Sequence, residues 1–85
     1  MRSEHIDQDS LLIIGAVKAE LARRDIAGVE LVPVIGLNRN AVYARLRGEQ
    51  AFTLTELFQI ASHLGITLQD LFKSAELGRV QAEAA

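Results

Sequence analysis

The sequence predicts an all-α fold: five short helices around one small core. Three observations predict it. Hydrophobic residues make up 49% of the chain but aromatics only 5%, so the core is built from Leu, Ile, Val and Ala, which suits helices packed on helices. Apolar residues recur at spacings of three and four rather than alternating. Gly36, Gly48 and Gly65 each follow such a run, where glycine enters the left-handed end conformation at little cost. A chain of 85 residues makes one domain. At this length only about 60% of the unfolded surface is buried on folding, so the core is small.

The first nine residues are polar and read as a flexible segment. Ser10 can cap a first helix running to about Arg24, with Leu11, Ile14, Val17, Lys18 and Leu21 at helical spacing and the apolar ones on one stripe. Arg23 and Arg24 close its last turn, where cations complement the helix dipole or serve as phosphate contacts. Ile26 is expected to drop into the core. Val29 to Ile35 makes a short second helix with an internal conflict at Pro33. An interior proline costs on the order of 3 kcal/mol but is tolerated in a first turn, so this helix starts late or begins with an irregular turn. Gly36 ends it and Leu37 buries between helices two and three.

Asn38 caps the third helix and Gly48 stops it. Residues 38–47 hold three of the nine basic residues and none of the eleven acids. At about 100° per residue, Arg39, Asn40, Tyr43, Ala44 and Arg47 fall within an arc of roughly 140°, opposite Ala41, Val42 and Leu46. One edge is therefore cationic and rich in donors, and the other packs. Such a helix fits the major groove of DNA. The net charge of −2 does not argue against this, because a basic face on an acidic body still binds phosphate.

Thr53-Leu54-Thr55-Glu56 is a capping box opening a fourth helix, with Leu54, Leu57, Ile60, Ala61 and Leu64 as its buried stripe and Gly65 as its end. Thr67-Leu68-Gln69-Asp70 opens a fifth helix with Leu68, Leu71 and Phe72 inward. Residues 10–73 form the domain. The tail from Ser74 to Ala85 is compatible with helix, weakly amphipathic through Leu77 and Val80, and either frays or extends the last helix toward a partner.

These residues resemble the Cro and lambda-repressor-like helix-turn-helix regulators. The resemblance runs through Val29-Glu30-Leu31-Val32-Pro33-Val34-Ile35-Gly36-Leu37-Asn38-Arg39-Asn40-Ala41-Val42 and is stronger downstream. There Arg45-Leu46-Arg47-Gly48-Glu49, Phe52-Thr53-Leu54-Thr55-Glu56-Leu57, Ile60-Ala61 and Leu64-Gly65-Ile66 follow in the family's order, covering about residues 11–73. The resemblance implies a compact five-helix domain with a helix-turn-helix over about 29–47 and a recognition helix over about 38–47 in the major groove. It implies base contacts from Arg39, Asn40, Tyr43 and Ala44, with Arg39 reading guanine and Asn40 adenine. Backbone contacts fall to Asn38, Arg45, Arg47 and Thr53. Arg45 lies about 240° from Arg39, toward the packed side, where its stem can pack and its head reach Glu49 or Glu56. The family usually carries glutamine at the position of Gly28 and alanine at that of Val32.

The expected function is sequence-specific binding of a double-stranded DNA operator by a phage or bacterial transcriptional regulator, as a homodimer through helix five and the tail. The alternative is a protein-interaction module, antirepressor or antitoxin-like, on the same scaffold; the acidic body, Gly28 and Pro33 favour it. An enzyme is not expected, because no side chains are spaced as nucleophile, base and orienter. No cofactor or metal is expected: cysteine is absent, and neither His5 nor His63 has a suitably spaced second ligand. One small domain leaves little room for an effector pocket, so no small-molecule effector is expected. The run Leu11-Leu12-Ile13-Ile14 is too short to span a membrane, and Met1-Arg2-Ser3-Glu4-His5 leads into acids rather than an apolar stretch. The expected location is the cytoplasm.

Overall fold

Short-range capping chemistry sets where four of the five helices start. A computed structural model of the protein describes residues 6–84, with residues 82 and 84 described by backbone alone. The helices are α1 Gln8–Arg23, α2 Leu31–Ile35, α3 Arg39–Leu46, α4 Leu54–Leu64 and α5 Leu68–Ala84, with a 3-10 turn over Gly28–Glu30 before α2. No strand occurs among the described residues. No helix there is long and apolar enough to cross a membrane.

α1 begins earlier than Ser10. Asp7 is its cap, accepting from the Ser10 N–H at 2.7 Å. That hydrogen bond holds the Asp7 carboxyl below its usual range. Residues 6–9 of the expected flexible segment are thus a cap and a first turn; residues 1–5, with His5, lie outside the described residues. α1 ends at Arg23 and turns through Asp25, which adopts a positive φ of 57°.

Pro33 stands third in α2, after the 3-10 turn. In that first turn a backbone N–H has no intrahelical partner, so nothing is lost to the proline ring. α2 is consequently only 5 residues long. It ends at Gly36 in the left-handed conformation (φ 70°), and Gly36, Leu37 and Asn38 connect it to α3. Thr53 and Glu56 form the expected reciprocal capping box on α4. Thr67 and Asp70 repeat it on α5, with Thr67 N–H on Asp70 at 3.0 Å and Asp70 N–H on Thr67 at 2.9 Å.

Each helix sends one large side chain fully inside: Val17, Leu31, Val42, Ile60 and Leu71. Burial of each stabilises the fold by about 1.5–3 kcal/mol. Three expected core positions are exposed instead. Leu11 lies on the rim of the α1 stripe, whose buried members are Ile14, Ala16, Val17 and Leu21. Leu54, the first residue of α4, sits off the arc through Leu57, Ile60 and Leu64; Phe72 sits off the arc through Leu71 and Ala75. The segment from Ser74 is no separate tail. α5 continues unbroken to Ala84 and packs along α1, with Ala75 buried and Arg79 donating to Asp9 at 2.9 Å.

Candidate nucleic-acid interface

α3 is held from three sides, and the fourth is open. Asn38 accepts from Ala41 N–H at 2.8 Å and so fixes the first turn. Val42 is fully buried below, while the 3-10 turn and α1 pack alongside. At the far end the Glu49 N–H donates to the Ala44 carbonyl at 2.9 Å and Gly48 takes a positive φ of 83°, turning the chain away.

Arg39 and Asn40 are exposed and hydrogen-bond to no other described side chain. Tyr43 is half-buried, one turn beyond Arg39. The residue beneath it is Gly28. A Cβ built there would lie 2.6 Å from Leu46 Cδ1 and 3.3 Å from Tyr43 Cε1. Glycine is therefore what lets the 3-10 turn press against α3 and the Tyr43 ring lie over it. Where the resemblance leads one to expect a glutamine reaching outward, this chain has a close backbone approach and a tyrosine. Ala44 is half-buried and Asn38 exposed.

Arg47 is exposed but not unattended: its guanidinium donates to Glu49 at 2.7 and 3.1 Å. That bond holds the Glu49 carboxyl below its usual range and raises Arg47. An exposed pair of this kind is weak and screened by salt, so a phosphate can replace Glu49.

Arg45 corrects the expectation of a phosphate contact. Its side chain is 8% exposed and its Nε donates to Glu56 at 2.9 Å, with Nη2 at 3.4 Å from the second oxygen. Nη1 donates to the Ala41 carbonyl at 3.2 Å. Glu56 Oε1 also accepts from Thr53 N–H at 2.9 Å, so one carboxylate caps α4 and clamps α3. The physical reason is the one the helical angle already contained: Arg45 points at the packed side. Thr53 remains exposed, yet its own N–H is taken by Glu56 and its hydroxyl oxygen accepts from Glu56 N–H at 3.1 Å; only the hydroxyl proton is left to offer.

Lys18 belongs with the face and was not legible as part of it. It lines an open groove with Leu21, Ile26, Tyr43, Leu46 and Arg47. Lys18 and Arg39 form no ion pair with a described residue, whereas Arg23 and Arg24 are both held by Glu20 at 2.6 Å. The Arg23 hydrogen bond is the main cause that keeps the Glu20 carboxyl below its usual range. The sequence hint for Lys18 is faint: it is the one charge between Leu11 and Ala19, and its nearness to α3 is a long-range fact.

The assembled edge thus carries Arg39, Asn40, Tyr43, Arg47 and Lys18, with Glu49 as its acid. It offers cations, an amide and an aromatic ring. No cluster of metal-binding side chains occurs among the described residues. Comparison with protein-family models finds no matching family, and comparison with curated proteins finds no similar sequence.

Proposed function

We propose that this protein is a sequence-specific double-stranded DNA-binding regulator of the Cro and lambda-repressor-like kind. In this reading α2 and α3 are the helix-turn-helix, and α3 enters the major groove. The observation that carries it is the open edge of α3: Arg39 and Asn40 exposed at its start, Tyr43 one turn on, Arg47 and Lys18 flanking, and no acid on the helix itself. Arg39 reads guanine through O6 and N7, and Asn40 reads adenine. Tyr43 meets a thymine methyl or the sugar edge. Arg47, Lys18, Thr53 and the Asn38 amide position the backbone. The protein regulates by occupying its site, as a homodimer whose two α3 helices meet successive major grooves about 34 Å apart. It works in the cytoplasm of a bacterial or phage-infected cell.

A second reading, a protein-interaction module, is favoured by Leu54 and Phe58, which stand one turn apart on α4 and are 59% and 55% exposed. Selection of bound duplexes from a random pool, followed by anisotropy across a salt series, separates the two. The proposal expects an enriched motif and an affinity that falls linearly in log–log with salt. No enrichment, with binding absent even at low salt, overturns it in favour of the second reading.

A further inference from the structure

Two helix edges with the same spacing line one groove. Lys18, Leu21 and Ala22 stand on α1; Tyr43 and Leu46 stand on α3, with Arg47 directly after it. Residues three and four apart share one side of a helix, so each set forms one wall. The open groove they line measures about 380 Å³, at the small end of the roughly 300–1,000 Å³ of small-molecule sites. It lies outside the core, so the small core that argued against an effector site does not bear on it. Gly28 helps to form it: that wall carries no side chain, and a Cβ there would press on Leu46 and the Tyr43 ring.

The lining selects the chemistry of what fits. Leu21, Ile26 and Leu46 supply carbon, and the half-buried Tyr43 ring favours a flat aromatic body packed offset or edge-on. Lys18 and Arg47 supply positive charge, and no acid lines the groove. Lys18 forms no ion pair with a described residue. Arg47 already displays how it takes a carboxylate: Nε and Nη2 each donate to one oxygen of Glu49, at 2.7 and 3.1 Å. That pair is exposed, so a second carboxylate can exchange for Glu49.

We propose that this groove binds a small aromatic carboxylate, its rings against Leu21, Ile26, Leu46 and Tyr43 and its carboxylate on the Arg47 fork in the field of Lys18. Binding needs no DNA. Its consequence rests on the DNA-binding reading above: the ligand takes Lys18 and Arg47 from phosphate and covers Tyr43, and so releases the duplex.

Naphthoate is the probe, titrated into the labelled full chain without DNA and followed by amide and methyl chemical shifts. The shifts centre on Leu21, Ile26, Tyr43 and Leu46 and saturate with a dissociation constant on the order of 0.1 mM, as for a small ligand in an open site. The uncharged naphthylmethanol binds roughly tenfold more weakly, and acetate alone produces no such shifts. Lys18→Ala and Arg47→Ala each weaken naphthoate by about threefold or more and leave naphthylmethanol unchanged. Ala22→Leu fills the groove from an exposed position on α1, keeps both cations and removes the shifts. All three positions are exposed, so circular dichroism stays unchanged. No saturable shifts up to about 5 mM, shifts centred on Leu54 and Phe58, or equal affinity for acid and alcohol overturns the site. With duplex present, naphthoate raises the apparent dissociation constant of the wild type and not that of Ala22→Leu; an unmoved duplex affinity at saturating naphthoate overturns the release. A chain that binds naphthoate but no duplex refutes the DNA-binding reading and leaves the site standing.

Discussion

Arg45→Met is the most informative single change in the body of the domain. It removes the guanidinium and keeps most of the apolar stem. The carboxylate left behind belongs to Glu56, whose side chain is 11% exposed and retains only the Thr53 N–H. Breaking a buried pair by deleting one partner typically costs 3–5 kcal/mol. Here the stranded charge sits at the start of α4, where the cap and helix dipole favour an anion, so the lower end applies: about 3 kcal/mol. A domain of this length holds roughly 4–13 kcal/mol in all. With a urea slope near 1 kcal/mol per molar, the midpoint falls by about 3 M. Glu56→Gln keeps an acceptor for Thr53 N–H but strands Arg45. The double variant strands no charge, so the two single costs exceed the double by about 2 kcal/mol. DNA binding supplies an independent check. Arg45→Met, studied where it is folded, keeps the wild-type salt slope, because Arg45 neutralises no phosphate. Additive costs under about 0.5 kcal/mol each, together with a slope reduced by about 1, would refute the reasoning and return Arg45 to the DNA face.

Three further outcomes follow from the same geometry. On a selected duplex, Arg39→Ala relaxes preference at one base pair and costs about 1–3 kcal/mol there, whereas Lys18→Ala and Arg47→Ala weaken all sequences alike and each lower the salt slope by about 0.9. Gly28→Ala crowds Leu46 and Tyr43; it lowers stability by about 1 kcal/mol and changes Tyr43 emission, which is readable because the chain has one tyrosine and no tryptophan. The carboxyls of Asp7, Glu20 and Asp70 all titrate below their ordinary values of 3.8, 4.5 and 3.8. Their stabilisation is therefore complete above those ordinary values and is lost as pH falls through the depressed folded ones. Urea midpoints should be level from neutral pH down to about 5 and then decline, less steeply in Glu20→Gln; a midpoint that rises on acidification contradicts this.

What the sequence made legible was local. Asn38, the Thr53–Glu56 and Thr67–Asp70 boxes, and the stops at Gly36, Gly48 and Gly65 are decided within three or four residues. The conflict at Pro33 could be posed and nearly resolved for the same reason. Asp7 and Ser10 are both good caps three residues apart, and local chemistry does not choose between them; the structure puts Asp7 outside the helix and Ser10 in its first turn. Exposure of Leu54 and Phe72 depends on where neighbouring helices stop covering them. The course of α5 beyond Ser74 depends on its packing along α1, far away in the chain, with Ala75 buried and Arg79 reaching Asp9. Lys18 joins the α3 edge only through the packing of α1, which no spacing encodes. The helical angle of Arg45 pointed inward, toward Glu49 or Glu56, while the expected phosphate contact required it to point outward; the angle held, and the partner is Glu56.

The central claim is that the open edge of α3 is the surface that meets DNA. An amide and side-chain chemical-shift map of the labelled protein, titrated with its selected duplex at low salt, tests it most directly. The account predicts shifts concentrated on Asn38, Arg39, Asn40, Tyr43, Arg47, Lys18 and Thr53. Shifts centred on Leu54 and Phe58 of α4, with Arg39 and Tyr43 unmoved, would contradict it.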